Sequence, residues 1–379
     1  MTIDFSKLPS PCYVLEEEKL LANLKLIRMV MDRAGVQVIL AFKGFAMWST
    51  FPIVRKYISS ATASSLHEAR LSFEEMGALA HTYCVVYKPY EFEEILSYSS
   101  HITFNSLAQF KRFCPQVKKY PRKISMGLRV NHGYSEVETE LYNPCSVESR
   151  LGVWVDNLQK LPKEIEGLHF HSLCESSAED TEKTLRVFEE KCGKFFEQLK
   201  WVNFGGGHLM TRKDYNIEHL ISVLRDFKER HSHLHVILEP GSAFGWETGF
   251  LHSTVMDVVD NHYTKTAILD VSFSAHMPDC LEMPYKPEVR GAKINGDLNY
   301  KYRLGGNSCL AGDFMESWTF DKELQIGDSL IFEDMIHYTM VKTTTFNGIE
   351  HPSIGVIDLE GNFKLVKKFD YQDYKGRLS

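Results

Sequence analysis

Ile39-Leu40-Ala41-Phe42-Lys43-Gly44-Phe45-Ala46 is an apolar, strand-like run that carries a lysine at its end. Val36–Phe42 reads as a short buried strand. Working outward, strand-like runs alternate with helical stretches from about residue 20 to about residue 255. Ser65–Met76 reads as a helix with its Glu and Arg residues outward, and Lys123–Asn131 and Ile165–His171 read as strands. Thr181–Leu199 reads as one long helix, Val202–Phe204 leads into a glycine loop, and His235–Glu239 is a further strand. A β-then-α alternation predicts parallel strands with helical crossovers, and the number of units fits an α/β fold of the (β/α)8 TIM-like barrel type. An open doubly wound sheet is the alternative.

After about residue 255 the texture changes to glycine-bounded strands: Thr254–Val259, Thr266–Val271, Ser329–Glu333 and Ser353–Leu359. They predict a C-terminal β domain, a β-sandwich or β-barrel, over residues 256–379. Pro11-Cys12-Tyr13-Val14-Leu15 is also strand-like. Residues 1–20 are therefore expected to lend a strand to the β domain, leaving 21–255 for the barrel.

A chain of 379 residues has room for a barrel of roughly 250 residues and a smaller partner domain. The net charge of −7 argues against nucleic acid or an anionic membrane as partner and mildly favours a cationic substrate. Met1-Thr2-Ile3-Asp4-Phe5-Ser6 lacks the basic and apolar regions of a signal peptide, and no apolar run reaches membrane-spanning length. The 8 cysteines are scattered without a Cys-x-x-Cys pair, which disfavours zinc and disulfide frameworks and fits a reducing cytoplasm.

Several motifs carry chemistry. Burying Lys43 as an ammonium is costly, and the cost falls if the amine is held as a Schiff base, as many enzymes hold pyridoxal phosphate; the plainer reading is a lysine snorkelling at a strand end. Gly205, Gly206 and Gly207 follow a short strand, so they are either a tight loop or a backbone cradle for an anion such as phosphate. Glu239, before Pro240 and Gly241, ends another strand; it is either a cap or turn residue, or a carboxylate that keeps a pyridine nitrogen protonated. Alternation sends His169 and His171 to one side, where an imidazole stacked on a flat cofactor competes with structural roles. A metal pair ranks last, because no further ligand sits at the right spacing.

In the β domain, glycines surround Cys309 and Asp313, an arrangement that suits a shaped loop with a thiol proton donor and an amine-gripping carboxylate. A buried, inert cysteine is the plainer reading. His276, Asp279 and Glu282 lie in a proline-stiffened segment and either read substrate ammonium groups or face solvent.

Taken together, and in this order, these runs resemble the fold-type III pyridoxal phosphate decarboxylases, which share their barrel with alanine racemase. Within that family the chain looks most like the carboxynorspermidine (carboxyspermidine) decarboxylases. The resemblance is carried by Phe42-Lys43-Gly44-Phe45-Ala46-Met47-Trp48, Thr62-Ala63-Ser64-Ser65-Leu66-His67-Glu68-Ala69 and Tyr142-Asn143-Pro144-Cys145. It continues in Ser149-Arg150-Leu151-Gly152, His276-Met277-Pro278-Asp279 and Asp334-Met335-Ile336-His337-Tyr338-Thr339-Met340-Val341-Lys342, so that it spans about residues 10 to 350.

The resemblance implies pyridoxal 5'-phosphate on Lys43, with His171 stacked on the ring, Glu239 at the pyridine nitrogen and Arg129 supporting that carboxylate. Gly205, Gly206, Gly207 and Gly241 would cradle the phosphate, with the Tyr338 hydroxyl. Cys309 and Asp313 would reach the site of a second subunit, making a homodimer with shared active sites. His276, Asp279 and Glu282 would read a carboxylated polyamine, which the enzyme converts to norspermidine or spermidine and carbon dioxide. The rivals are a decarboxylase of lysine, ornithine or diaminopimelate, an amino-acid racemase, and a non-catalytic cofactor carrier. Two positions depart from the pattern: Gly44 stands where the group often has alanine, a packing change, and Ser242 stands where relatives carry arginine or glutamate.

Overall fold

The structure, a computed structural model, describes residues 5–137, 142–283, 285–294 and 296–379. Met1–Asp4 and Pro284, which entered the sequence reading, lie outside the described residues. The chain divides into two compact units, one of Asn23–Phe244 and one that joins the chain up to Ala22 to Gly245–Ser379.

The first unit is a parallel barrel. From Gln37–Val38 the neighbours run through His235–Leu238, Trp201–Asn203, Gly167–His169, Ser125–Asn131, Ser99–Phe104, Ala80–Tyr83 and Ala61–Ala63 to Leu40–Ala41. Gln37–Val38 and Leu40–Ala41 are two halves of one strand, and the Ile39 N–H donates to Leu238 O at 2.9 Å across the break. The sheet thus closes on itself as the (β/α)8 barrel expected from the alternation.

The crossover helices follow from capping and apolar spacing. Ala178–Cys192 starts at a capping box between Ser177 and Asp180 and buries Thr181, Thr184, Leu185, Phe188 and Cys192 along one face. Ile217–Arg230 is capped by Asn216 and buries Leu220, Ile221, Leu224 and Phe227. Two of the expected helices change type before their ends. Gly193 ends the α-helix within Thr181–Leu199, and Gly193–Gln198 tightens to 3-10 geometry. Leu66–Leu71 widens to a π turn over Ser72–Met76, closed by left-handed Gly77.

Register stacks the barrel interior in layers. Gly127, Gly167 and Trp201 are paired neighbours near the strands' N-terminal ends. A Cβ at Gly167 would lie 2.0 Å from the Trp201 ring, and one at Gly127 2.4 Å, so two glycines make room for one indole. One pleat repeat higher, Arg129, His169 and Asn203 share a register.

The second unit is a sheet ordered Ala292–Lys293, Phe314–Phe320, Tyr300–Gly305, Lys265–Leu269, Gly249–Asp260, Cys12–Glu16, Ser353–Ile357, Phe363–Lys367, with Ser329–Glu333 also paired to Gly249–Asp260. Cys12–Glu16 runs antiparallel to Gly249–Asp260 and parallel to Ser353–Ile357. Cys12, Val14, Phe250, Ile331 and Ile357 form a core on one face. The sequence reading did not anticipate Tyr300–Gly305, Phe314–Phe320 or the closing helix Tyr371–Leu378.

Candidate active site

Lys43 follows the first barrel strand, anchored by Phe42, which is buried and stacked on Phe51 with centroids 5.3 Å apart. The lysine side chain keeps accessible surface. Enclosure by protein, seconded by the nearby Arg129 guanidinium, still lowers its pKa below the ordinary lysine value. Its Nζ lies 3.3 Å from His171 Nε2. The Gly206 N–H donates to His171 Nδ1 at 3.1 Å, so that nitrogen is the acceptor and the ring proton belongs on Nε2, facing the lysine. Burial, followed by the Lys43 and Arg129 charges, holds His171 well below the usual histidine pKa. The imidazole is therefore neutral, with its Nε2–H turned toward the lysine amine.

Glu239 follows the last barrel strand. Burial pushes its pKa up, yet bonds from His169, Asn203 and Thr62 outweigh that and hold it below the usual carboxylate value. Asn203 Nδ2 donates to Glu239 Oε1 at 2.7 Å, and His169 Nε2 lies 3.4 Å from Oε2. His169 is itself lowered, because burial overcomes the attraction of Glu239. The pair is therefore an anionic carboxylate beside a neutral imidazole. Arg129 is buried with its guanidinium 4.8 Å from the Tyr83 ring, and it donates to His171 O at 3.5 Å.

The glycine loop is shaped by close approach. Gly205 and Gly207 have φ of 69° and 95°, and a Cβ at Gly206 would meet Glu239 O at 2.5 Å. Asn203 Oδ1 accepts the Gly205 N–H at 2.9 Å, tying the loop to the residue that holds Glu239. Gly44 and Gly241 touch: a Cβ on Gly44 would lie 2.7 Å from Gly241 Cα. The departure at position 44 thus goes with an unusually close contact between the two loops. Ser242 opens the short helical turn Ser242–Gly245 behind Gly241.

Lys43, Arg129, His171, Gly205, Gly206, Gly207, Glu239 and Gly241 thus converge in the barrel unit. Asn203 and Glu68 escaped the sequence reading. Asn203 had a signal, since it stands two residues before Gly205 on the inward side of its strand. Glu68 accepts the Ser64 N–H at 2.6 Å, and burial raises its pKa.

In the β unit, Cys309 is exposed. Asp313 is buried, and its two oxygens accept the Ser274 N–H at 2.9 Å and the Ser308 N–H at 3.1 Å. His276 is buried, accepts the Ser272 N–H on Nδ1 at 3.1 Å, and is lowered to about 4 by burial. Asp279 accepts from Lys342 Nζ at 2.8 Å, and Glu282 binds the same ammonium. Tyr338 sits at φ 33°, following His337, which stacks on Trp246. Among the described residues, no group of three or more His, Cys, Asp or Glu side chains is arranged to hold a metal ion, and no helix is long and apolar enough to cross a membrane.

The family model described as pyridoxal-dependent decarboxylase, C-terminal sheet domain, matches residues 12–336. The chain belongs to the pyridoxal-dependent decarboxylases. Among its relatives, the carboxyaminopropylagmatine decarboxylase of Synechocystis sp. is 51% identical over 98% of this chain and 96% of its own. The carboxynorspermidine/carboxyspermidine decarboxylase of Campylobacter jejuni is 45% identical over 98% of this chain and 99% of its own. A crystal structure of carboxynorspermidine decarboxylase with norspermidine, from the same organism, superposes with a TM-score of 0.91 at 44% identity, covering 98% of this chain and 100% of that one. Decarboxylase chemistry and the expected barrel-plus-sheet fold are thus those of the family.

Proposed function

We propose that this decarboxylase binds pyridoxal 5'-phosphate on Lys43 and converts a carboxylated polyamine, carboxynorspermidine or carboxyspermidine, to norspermidine or spermidine plus carbon dioxide. The observation that carries the reading is Glu239, a largely enclosed carboxylate held anionic by His169 and Asn203 in the barrel whose first strand leads to Lys43. The donor set fits the cofactor. Lys43 offers an amine with lowered pKa, His171 a neutral ring, Glu239 an anion for a pyridinium, and Gly205–Gly207 a backbone cradle that side chains would fill.

When bound, the cofactor supplies an electron sink for the pair left by the Cα–carboxylate bond. Glu239 would pair with the cofactor's ring nitrogen and keep it protonated, which would deepen that sink, the opposite of what a racemase needs. Lys43 Nζ would be the group that holds the cofactor. As the Cα–carboxylate bond breaks, carbon dioxide leaves and a proton is delivered to Cα, from the Cys309 thiol of a second copy or from Lys43. This reading makes the enzyme a homodimer with shared sites, in keeping with a cytoplasmic biosynthetic role. Asp279 and Glu282 already chelate one primary ammonium, that of Lys342, which is the chemistry a polyamine tail presents.

A second substrate, carboxyaminopropylagmatine, is favoured by the 51% identical Synechocystis relative. Its tail ends in a planar guanidinium instead of an ammonium, a difference that carboxylate geometry can read. Holoenzyme should be given all three carboxylated amines together with lysine, ornithine and diaminopimelate, and carbon dioxide release measured. Turnover of carboxynorspermidine or carboxyspermidine with the highest kcat/KM supports the first reading, and a clear preference for the guanidino substrate replaces it with the second. Preference for a simple diamino acid would overturn both.

A further inference from the structure

The loop bearing Cys309 is pinned from within and by the strand end at Val271. Gly306 N–H donates to Asp313 O at 2.7 Å, Asn307 N–H to Val271 O at 3.0 Å, and Ser308 N–H to Asp313 Oδ2 at 3.1 Å. Leu310 N–H reaches Ser308 Oγ at 3.3 Å. The N–H of Cys309 itself is held by a residue 38 positions further on, Asn347, whose Oδ1 accepts it at 2.9 Å.

Asn347 is committed to that task by its backbone. It sits at φ 58° and ψ 11°, a left-handed conformation that asparagine tolerates better than most residues, in the turn Phe346–Gly348. The turn is braced from behind by the closing helix Tyr371–Leu378. Arg377 Nε donates to Thr345 Oγ1 at 3.1 Å, and the Tyr374 ring lies so close to Gly348 that a Cβ there would come within 3.3 Å of it. The turn and its brace all lie beyond residue 336, where the match to the family model ends.

We propose that Asn347 is a positioning residue for the decarboxylation: braced by the C-terminal helix, it fixes the backbone at Cys309 and so aims the thiol. The inference rests on the proposed role of Cys309 as proton donor. A proton donor acts only within hydrogen-bond reach of the carbon it serves, so loss of one backbone anchor should be read in turnover more than in binding.

Asn347→Gly keeps the left-handed turn and removes only the acceptor, whereas Asn347→Asp keeps both. In holoenzyme, Asn347→Gly should lower kcat by roughly tenfold, the rate equivalent of one lost hydrogen bond, with KM within about twofold of wild type. Asn347→Asp should restore kcat. Independently of activity, iodoacetamide labelling of the Cys309 peptide, followed by mass spectrometry, should be several-fold altered in Asn347→Gly and normal in Asn347→Asp. Thr345→Val, which cuts the tie to Arg377, should shift the labelling in the same direction by less. Unchanged labelling in Asn347→Gly, or an Asn347→Asp variant as impaired as the glycine one, overturns the proposal. Cys309→Ala separates the two levels: full activity in that variant removes the proton-donor reading and with it the role of Asn347 in the decarboxylation, and the labelling then reports only the backbone anchor.

Discussion

The two ends of the barrel interior both hold buried histidines and do opposite things with them. At the N-terminal end, His81 and His101 face each other across paired strands with ring centroids 3.8 Å apart, and Trp201 meets His101 edge-on at 5.4 Å. These rings pack against one another and, with the indole seated over Gly127 and Gly167, fill the space. At the C-terminal end, His169 and His171 turn their nitrogens toward Glu239 and Lys43 instead. Burial depresses all four imidazoles. A lowered pKa therefore does not distinguish the chemical end from the structural end; what distinguishes them is whether a charged, reactive group stands opposite.

The sharpest way to separate the ends is to remove that group. Lys43→Ala should abolish cofactor-dependent absorbance and cut turnover by at least about 10⁴-fold, while the thermal midpoint of the apoprotein stays near wild type. A variant that keeps the absorbance band would remove Lys43 from its role. Next in size is Glu239→Gln, which keeps the shape and the bond from Asn203 but loses the charge. It should cost about 10²–10³-fold in kcat. Equal activity of the two forms would show that the ring nitrogen needs no anion.

The opposite end should respond in stability and not in chemistry. Gly167→Ala puts a methyl 2.0 Å from the Trp201 ring, and the strand backbone cannot yield without breaking register. It should cost about 1–3 kcal/mol of folding stability, seen as a lower thermal midpoint, with kcat per folded molecule unchanged. A change in kcat without a change in midpoint would mean that the two ends are coupled.

The chemical end was the more legible in sequence, and the reason is physical. Lys43, His171, Gly205–Gly207 and Glu239 are residue types that are expensive or unusual at strand ends, so each advertised itself. Asn203 offered only its place two residues before Gly205; that its one side chain bonds both a carboxylate and a loop N–H is a matter of contact, which no spacing reveals. The Gly127–Gly167–Trp201 layer was equally silent, since glycines inside strands are informative only once register has set them beside an indole. In the β unit, Tyr300–Gly305 pairs with Phe314–Phe320 through a bulge at Arg303/Leu304, which breaks the alternation that announces a strand. The Cys309–Asn347 contact joins residues far apart in sequence and was likewise invisible.

The smallest effect tests the histidine pair itself. His101 is lowered to about 4, by burial first and then by the neighbouring His235, against 6.5 for the free side chain. Between those values the unfolded chain binds a proton that the folded chain refuses, so stability is intact above about pH 6.5 and falls as the pH drops toward 4. His132 and His208 are lowered to about 4 as well, so the acid-linked loss is shared. His101→Phe keeps an aromatic ring against His81 and Trp201 but removes one titrating group, at the expense of the hydrogen bond between Ser100 Oγ and His101 Nδ1. The variant should therefore lose less stability than wild type on acidification from pH 7 to pH 4.5, by about 1–2 kcal/mol once partial exposure of the ring is allowed for. Parallel stability curves for the two proteins would mean that His101 titrates normally in the folded barrel, and the stacked pair would then have to be read as hydrated and not as packed.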